Sequence, residues 1–448
     1  MFYLPCFFLA MTSAIERRTS QMKVDIPPPI RSNIPGTWAY DTMNRRIPDE
    51  ILPRIINDNI RELSNPTSSI RSEILLILND LQSSLKSGNT GYLRGISDSG
   101  EDVDVWNSIL ADVPDDKRNW IDAPWALSEF YFYRRIIEAF KYFETGYDPF
   151  IGQKGNGLIE SLSNIENIAL KLPSLLSREP HAILSTAILT SLWGNKMDLS
   201  LWPADKSNSE EKEERVTKFD KALNAGSKYL LDNDLDEVVY FLQSIPGDRG
   251  SRIDIIVDNA GFEIVTDLIL ALCHLKLNPL HTVVLHTKGH PTFVSDATTQ
   301  DVYATINFLS EPFEGSAYPA AEQLARDLRA YIAEGRLRMI DDLFWCQPTA
   351  FWDMPHSVKE RLTGSSMIFV KGDANYRRLL GDRHWKLDED PREVLNYWGD
   401  LPICALRVCK AEIACGIPVS EQVRAKTEDP NWLVSGKWGV IQFNLNRK

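Results

Sequence analysis

The stretch IDIIVDNAGFEIVTDLILALCHL, Ile253–Leu275, decides the fold class of this chain. It opens with a β-branched apolar run that is typical of a strand buried on both faces. From Phe262 onward, the apolar residues recur with the spacing of one helix face. A strand followed directly by a helix is the unit of α/β folds. Between the two stand an acid and an amide, Asp258 and Asn259, where a dinucleotide-binding fold carries glycines.

The alternation of strand and helix continues through the second half of the chain. Four more short apolar runs predict strands: HTVVLHT (281–287), LRMIDD (337–342), SMIFVKGD (366–373) and ALRVCKAE (405–412). Helical patterns lie between several of them, from about Asp301 and around 319–334. Repeated strand–helix units predict an α/β fold with a mostly parallel, Rossmann-like sheet covered by helices.

The first half of the chain has helical patterns instead. Amphipathic spacing predicts helices over 68–85, 125–143, 157–176 and 181–195. We expect no strand before about residue 235, and we expect IGQKGNG (151–157) to be a loop because no strand precedes it. The polar stretch 207–223 is expected to be a solvated loop and an exposed helix start.

These patterns predict a chain in three parts. Residues 1–20 form a peripheral apolar extension, 21–235 a largely helical domain, and 236–448 an α/β/α catalytic domain on which the helical domain packs. The apolar residues 2–11 follow no basic residue and are interrupted by Pro5, so a cleaved signal peptide is a minority interpretation and Met11 is a candidate start.

Composition excludes several classes of function. The net charge is −13 over 448 residues, which argues against nucleic-acid binding because that needs a basic surface. No later run reaches the roughly 18 apolar residues of a membrane span, so we expect no membrane partner. The six cysteines include no CxxC pair, which favours reduced thiols in a cytoplasmic or nuclear protein.

Sequence motifs exclude further kinds of site. Neither GxxxxGK[ST] nor GxSxG occurs, so a P-loop ATPase and an α/β-hydrolase are both unsupported. A zinc site of His281, His286 and His290 is disfavoured because a strand places the first two on opposite faces. Cys409 is expected to be inert packing in its strand.

Polar residues cluster at the carboxyl ends of the predicted strands, where open parallel sheets bind ligands. They are Asp258 and Asn259, Asp296, Lys371 with Asp373, and Arg407 with Lys410. Each could be a turn or helix cap on its own. Because they converge on one sheet edge, we interpret them as a site for Mg²⁺ or Mn²⁺, held by oxygen atoms of Asp258, Asn259 and Asp296. Lys371, Arg377, Arg407 and Lys410 then suit a phosphate group.

Long motifs spread over nearly the whole chain resemble the metal-dependent damage-control phosphatases, in particular the third subfamily, which comprises eukaryotic sugar-phosphate phosphatases. The motifs are GTWAYDTMNRRIP (36–48), APWALSEFYFYRRI (123–136), SLWGNKMDLSL (191–201), VDNAGFEIVTDL (257–268), KGHPTFVSDAT (288–298), FWCQPTAFWDMP (344–355) and VKGDANYRRLLGDRHW (370–385). The resemblance implies hydrolysis of reactive sugar phosphates such as fructose 1-phosphate and fructose 6-phosphate, with Mn²⁺, Co²⁺, Ni²⁺ or Mg²⁺ as cofactor.

The resemblance also implies roles for single residues. Asp258, Asn259 and Asp296 match the catalytic metal ligands. The substrate-phosphate contacts match Asp373, Asn375, Tyr376, Arg377 and Lys410. Glu263 matches a family acid near the pocket. Independently of the resemblance, we predict supporting roles for four residues: Lys371 and Arg407 at strand ends, and Glu129 and Asn195 where the helical half closes over the sheet edge. One departure is visible, because the subfamily's Arg-Thr-x-Lys signature is Arg407-Val408-Cys409-Lys410 here. Loss of the Thr hydroxyl matters if it bonds substrate and matters little if it packs in the strand.

Several alternatives stay open at this point. Phosphate transfer could use water or direct attack by Asp258. Relatives in the subfamily are also described as S-adenosylmethionine-dependent carboxyl methyltransferases, although VDNAGFE has a single glycine for such a cofactor. A noncatalytic scaffold with a vestigial site is the third possibility. The preferred substrate and the oligomeric state do not follow from the sequence.

Overall fold

The predicted mostly parallel sheet is confirmed. The computed structural model describes residues 25–59, 68–194, 226–248, 250–313 and 317–444. Its seven strands are β1 Leu230–Asn233, β2 Arg252–Ile256, β3 Thr282–Lys288, β4 Leu337–Asp342, β5 Met367–Lys371, β6 Ile403–Val408 and β7 Gly439–Asn444. They lie in the order β1-β7-β6-β5-β2-β3-β4, and only the β6–β7 pair is antiparallel.

The five strands expected from apolar runs are all present, but two were missed. β1 has only four residues and begins before residue 235, ahead of the point where strands were expected. It pairs with β7, the other missed strand, which lies more than 200 residues later in the chain. A short edge strand that depends on such a distant partner leaves little local pattern.

Helices surround the sheet. Their bounds are Trp38–Asp41, Leu52–Asn59, Ser68–Lys86, Val103–Ala111, Trp125–Ala139, Tyr142–Thr145, Ile151–Glu160, Leu162–Leu175, Pro180–Trp193, Leu235–Ser244, Phe262–Leu277, Thr299–Phe308, Pro319–Ala333, His356–Leu362, Asp373–Leu379, Pro391–Val394 and Val419–Glu428. A π-helical segment, Thr42–Ile51, joins the first two. The predicted helices over 68–85, 125–143, 157–176 and 181–195 all have counterparts in this set.

The prediction of a loop at 151–157 is wrong, because helix Ile151–Glu160 occupies it. Tertiary contacts override the poor helix propensity of its glycines. The helix buries Lys154, whose ammonium lies 2.9 Å from an Asp148 carboxylate oxygen and 2.8 Å from one of Asp301. This buried ion pair ties the helix to the one that follows β3.

The sheet is buried on both faces, as its continuous apolar runs predicted. Ile368 and Val370 of β5 pack into one hydrophobic core, whereas Met367 and Phe369 pack into the other. Each core also contains helical residues from the first half of the chain, such as Phe130 in one and Ile188 in the other. The division into domains at 20 and 235 stays a prediction.

Other expectations concern the cysteines and the membrane. The five cysteines in the described ranges, Cys273, Cys346, Cys404, Cys409 and Cys415, are buried and form no disulfide. None of the helices that the structure describes has the length and apolar character needed to cross a membrane. Residues 1–20, the polar stretch 207–223 and Asn195 lie outside the described residues.

A buried histidine pair makes stability depend on pH. His274 Nε2 lies 3.0 Å from His281 Nδ1, and burial lowers the pKa of His274 to about 3. Since the unfolded chain then takes up the proton first, we expect the free energy of unfolding to fall as pH drops from 6.5 towards 3. Denaturant titrations at several pH values in this range measure the free energy of unfolding. Its change with pH should be smaller in His274→Gln than in the parent, by up to ~1.4 kcal/mol per pH unit.

The matched control for this prediction is His384→Gln, because the His384 side chain is exposed. That variant should keep the pH dependence of the parent. Equal slopes in the parent and in His274→Gln would contradict the prediction.

Candidate active site

A cavity of about 360 Å³ lies at the carboxyl ends of the central strands. The loops after β2, β3, β5 and β6 reach it. This is expected, because these four strands are neighbours and run parallel, so their carboxyl ends lie at one edge of the sheet. Its lining residues are Trp38, Arg46, Ile51, Trp125, Glu129, Tyr133, Asp258, Asn259, Phe293, Asp296, Asp373, Ala374, Arg377, Lys410, Val434, Ser435 and Gly436. The first six belong to the helical half, so both halves of the chain form the cavity.

Asn259 links the acids at the end of β2. Its amide nitrogen donates to Asp258 Oδ2 and to Glu263 Oε2, both at 2.8 Å. Its amide oxygen accepts a hydrogen bond of 2.5 Å from the hydroxyl of Ser295. The amide therefore holds two carboxylates together and connects them to the loop that carries Asp296.

Asp258 carries an unsatisfied oxygen. It is 7% exposed, and its Oδ1 is buried without a hydrogen-bond partner among the described residues. Burial, together with the charges of Asp296 and Glu263, raises the pKa of Asp258 well above its ordinary value. Buried polar atoms are normally satisfied, so a free acceptor among acids is unusual.

Asp296 faces Asp258 across this site. Its Oδ2 lies 3.0 Å from the ammonium of Lys288, a buried residue at the end of β3. Burial raises the pKa of Asp296 as well, although Lys288 opposes the shift. An isolated bridge joins the backbones of Asn259 and Asp296, so the three predicted ligands are neighbours.

The loop before Asp296 has an unusual backbone. Phe293 and Val294 have φ angles of 47° and 68°, in the left-handed region that side chains other than glycine rarely adopt. Val294 is β-branched, so the conformation is costly. Phe293 is held by rings of the helical half, with ring centroids 4.6 Å from Phe130 and 4.7 Å from Tyr133. Packing between the halves thus fixes the loop that presents Asp296.

Arg377 lines the cavity but is already paired. Its guanidinium lies 2.6 Å from Glu129 and 2.8 Å from Asp382, and it stacks over Trp125 at 3.5 Å. Burial raises the pKa of Glu129 above its ordinary value despite this pairing. Arg377 is therefore held in one position at the wall of the cavity, and its charge is largely neutralised by the two carboxylates.

Lys410 and Asp373 form the wall near Asp258. Asp373 Oδ1 accepts hydrogen bonds from the Lys410 backbone at 3.0 Å and from Arg407 Nε at 2.8 Å. Arg407 is fully buried behind Asp373 and does not line the cavity. Lys410 does line it, and its ammonium forms no ion pair within the residues that the structure describes.

A model of the damage-control phosphatase ARMT1-like domain matches residues 43–425. The chain belongs to this family. The match confirms the resemblance inferred from the sequence motifs and agrees with the cavity at the sheet edge.

Relatives in the damage-control phosphatase family match almost the whole chain. The damage-control phosphatase ARMT1 of Danio rerio is 29% identical, over 93% of this chain and 97% of that protein. The Homo sapiens protein of the same name is 28% identical, over 94% of this chain and 99% of its own. A solved DUF89 family protein from Pyrococcus horikoshii is 14% identical, covers 89% of this chain and 98% of that one, and has a TM-score of 0.43.

Three other predicted site residues of this damage-control phosphatase lie behind the cavity. The ammonium of Lys371 contacts the Ser191 carbonyl and lies 3.1 Å from Asp267 and 3.7 Å from Glu263. The remaining two also bind protein groups: Asn375 donates to the Val257 and Lys371 carbonyls, and Tyr376 donates to Gln442. In the structure these three side chains brace the strand ends.

The Thr-to-Val departure lies away from the cavity. Val408 is 7% exposed, packs in a hydrophobic core and does not line the cavity. The substitution therefore falls at a packing position of β6.

Sequence reasoning missed several residues of the damage-control phosphatase site. Lys288 is the last residue of β3. Polar residues at strand ends are candidates for the site, as Lys371 is, so the same criterion would have included Lys288. Trp38, Arg46 and Trp125 lie within the motifs that resemble the family. Nothing in the neighbouring sequence, however, predicts that their side chains reach the edge of the sheet. The same holds for Val434, Ser435 and Gly436, which come from the loop before β7.

Proposed function

We propose that this chain is a metal-dependent phosphatase that hydrolyses phosphomonoesters of small, reactive sugar phosphates, such as fructose 1-phosphate and fructose 6-phosphate. The observation that carries the proposal is the buried Asp258 Oδ1 among acids, in the same cavity as Lys410. Neither group has a partner within the part of the chain that the structure describes. One part of this cavity suits a divalent cation and the other suits a phosphate. Membership in a phosphatase family supports the same reading.

The residues present fit a hard divalent cation. No group of three or more His, Cys, Asp or Glu side chains in the described ranges forms a metal cluster. The proposed set instead combines two acids with an amide: Asp258, Asp296 and Asn259, the last through the oxygen that now accepts from Ser295. Carboxylate and amide oxygens suit Mg²⁺ or Mn²⁺ better than softer metals. When bound, such an ion polarises the phosphate ester and lowers the pKa of water.

The chain's own residues then do the remaining work. Lys410 binds the phosphate oxygens and offsets their charge. Lys288 holds Asp296, and Asn259 holds Asp258, so both carboxylates keep fixed positions. Attack by water and attack by Asp258 itself both fit this arrangement, and trapping of a phosphorylated Asp258 distinguishes them.

A phosphatase screen tests the proposal. Metal-free protein is combined with Mg²⁺, Mn²⁺, Co²⁺ or Ni²⁺ and with a panel of sugar phosphates, and released phosphate is measured. We expect release that needs one of these ions, stops with a chelator, and is highest for fructose phosphates. Absence of metal-stimulated release from every sugar phosphate would contradict the proposal and favour a noncatalytic role.

A further inference from the structure

A second cation, Arg46, reaches the cavity from the helical half. It lies in the π-helical segment Thr42–Ile51 and lines the same cavity as Asp258 and Lys410. Its guanidinium stacks over the Trp38 ring at 4.3 Å and makes one long hydrogen bond, of 3.3 Å, to the Thr42 hydroxyl. No carboxylate in the described ranges forms an ion pair with it.

The adjacent arginine shows the contrast. Arg45 is 51% exposed and is neutralised in solvent by Asp41, at 2.7 Å, and by Glu50. Two consecutive arginines therefore differ in environment, because one is paired on the surface and the other is held over an indole at the cavity wall. A stacked guanidinium keeps its planar fork free for an anion.

The other cations near the cavity already have carboxylate partners. Arg377 pairs with Glu129 and Asp382, and Lys288 pairs with Asp296. Among the described lining residues, this leaves Arg46 and Lys410 as cations without a carboxylate. A phosphate monoester is largely a dianion at neutral pH, so two cations match its charge.

Arg46 lines the same cavity as Tyr133 and Asp296. Burial and the Glu129 charge raise the pKa of Tyr133, the charge of Arg46 opposes the shift, and the charge of Asp296 adds to it. Because all three line one cavity, a small substrate can contact both walls.

We propose that Arg46 is a substrate-binding residue that grips the phosphate of the substrate bidentately, from the wall opposite the sheet edge. The proposal rests on the proposed phosphatase function and deepens it. The preferred substrates are small dianionic phosphomonoesters, and the helical half contributes directly to their binding. Among the described residues that line the cavity from the sheet edge, Lys410 is the cation without a carboxylate partner.

The test compares Arg46→Ala and Arg46→Lys with the matched control Arg45→Ala. Fructose 1-phosphate hydrolysis is measured with Mn²⁺, together with inhibition by inorganic phosphate. We expect Arg46→Ala to raise KM and the phosphate inhibition constant in parallel, by roughly ten- to a hundred-fold, with a smaller change in kcat. Arg46→Lys should lie between, since it keeps the charge and loses the fork. Arg45→Ala should match the parent.

The possible outcomes separate this inference from the proposed function. An active parent whose KM and phosphate inhibition survive Arg46→Ala unchanged overturns the Arg46 assignment alone. An inactive parent overturns the phosphatase function, and calorimetric titration of inorganic phosphate in the presence of Mn²⁺ then decides the role of Arg46. If Arg46→Ala has a lower melting temperature than Arg45→Ala, the KM of the folded Arg46→Lys variant is the test. A raised KM in Arg46→Lys supports the proposal, and a parental KM overturns it.

Discussion

Replacement of Asp258 by Asn is expected to lower phosphate release from fructose 1-phosphate by roughly a thousand-fold or more. The substitution keeps the size of the side chain and removes its charge. The buried side-chain oxygen, which has no partner among the described residues, then no longer attracts a divalent ion. Initial rates with saturating Mn²⁺ measure the effect. Activity within about three-fold of the parent would contradict the assignment of Asp258 to the catalytic site.

The same substitution should leave the metal-free protein at least as stable as the parent. Asp258 lies near the charges of Asp296 and Glu263, which together with burial raise its pKa. A raised carboxyl pKa means that the ionised form costs stability above the unfolded value of 3.8. The gain in the free energy of unfolding caused by Asp258→Asn should therefore be present at neutral pH and disappear in acid. Function commonly holds such destabilising groups in place.

A matched control separates loss of this charge from loss of another acid whose pKa is raised by burial. Asp232 lies at the far edge of the sheet, and burial raises its pKa to about 6. Its carboxylate accepts a hydrogen bond of 2.9 Å from Gln442 and does not line the cavity. Asp232→Asn should keep most of the parental activity.

The second large effect is expected from Gly372→Ala, which should reduce activity by on the order of a hundred-fold or more. Gly372 follows β5 with a φ of 83°. A Cβ there would lie 2.0 Å from Asp258 Oδ2 and 2.1 Å from its carboxyl carbon, so the carboxylate must move. Both kcat and melting temperature should fall, because the displaced group is buried and the backbone conformation disfavours Ala.

Gly364→Ala is the control for the backbone effect. Gly364 has a φ of 85°, but a Cβ there meets nothing within 4 Å. Both positions have a positive φ that disfavours Ala, and only Gly372→Ala displaces Asp258. Equal activity in the two variants would show that the close approach of Gly372 to Asp258 is unimportant.

Local patterns predicted much of the fold and the centre of the site. Buried strands in parallel sheets are short, continuous apolar runs, so β2 to β6 could be read directly from the sequence. Once neighbouring strands are parallel, their carboxyl ends share one edge. Asp258, Asn259 and Asp296 therefore had to be close together, and the structure places them as neighbours.

The direction of each side chain near that edge could not be predicted in the same way. Lys371, Asn375 and Arg407 come from the right segments but bind Asp267, main-chain carbonyls and Asp373 instead of facing the cavity. Which way a long polar side chain turns depends on partners that are distant in sequence. Glu129 is such a partner, since it meets Arg377 across 248 residues.

The sequence by itself determined the α/β class, the order of most strands and helices along the chain, and the acids at the strand ends. These follow from hydrophobic periodicity, which is a local property of neighbouring residues. Only the tertiary structure decided that helix Ile151–Glu160 forms, that β1 joins β7, and that Arg46 reaches the cavity while Arg45 does not. The reason is physical: ion pairs, ring stacking and sheet edges are completed by residues that are far apart in the chain.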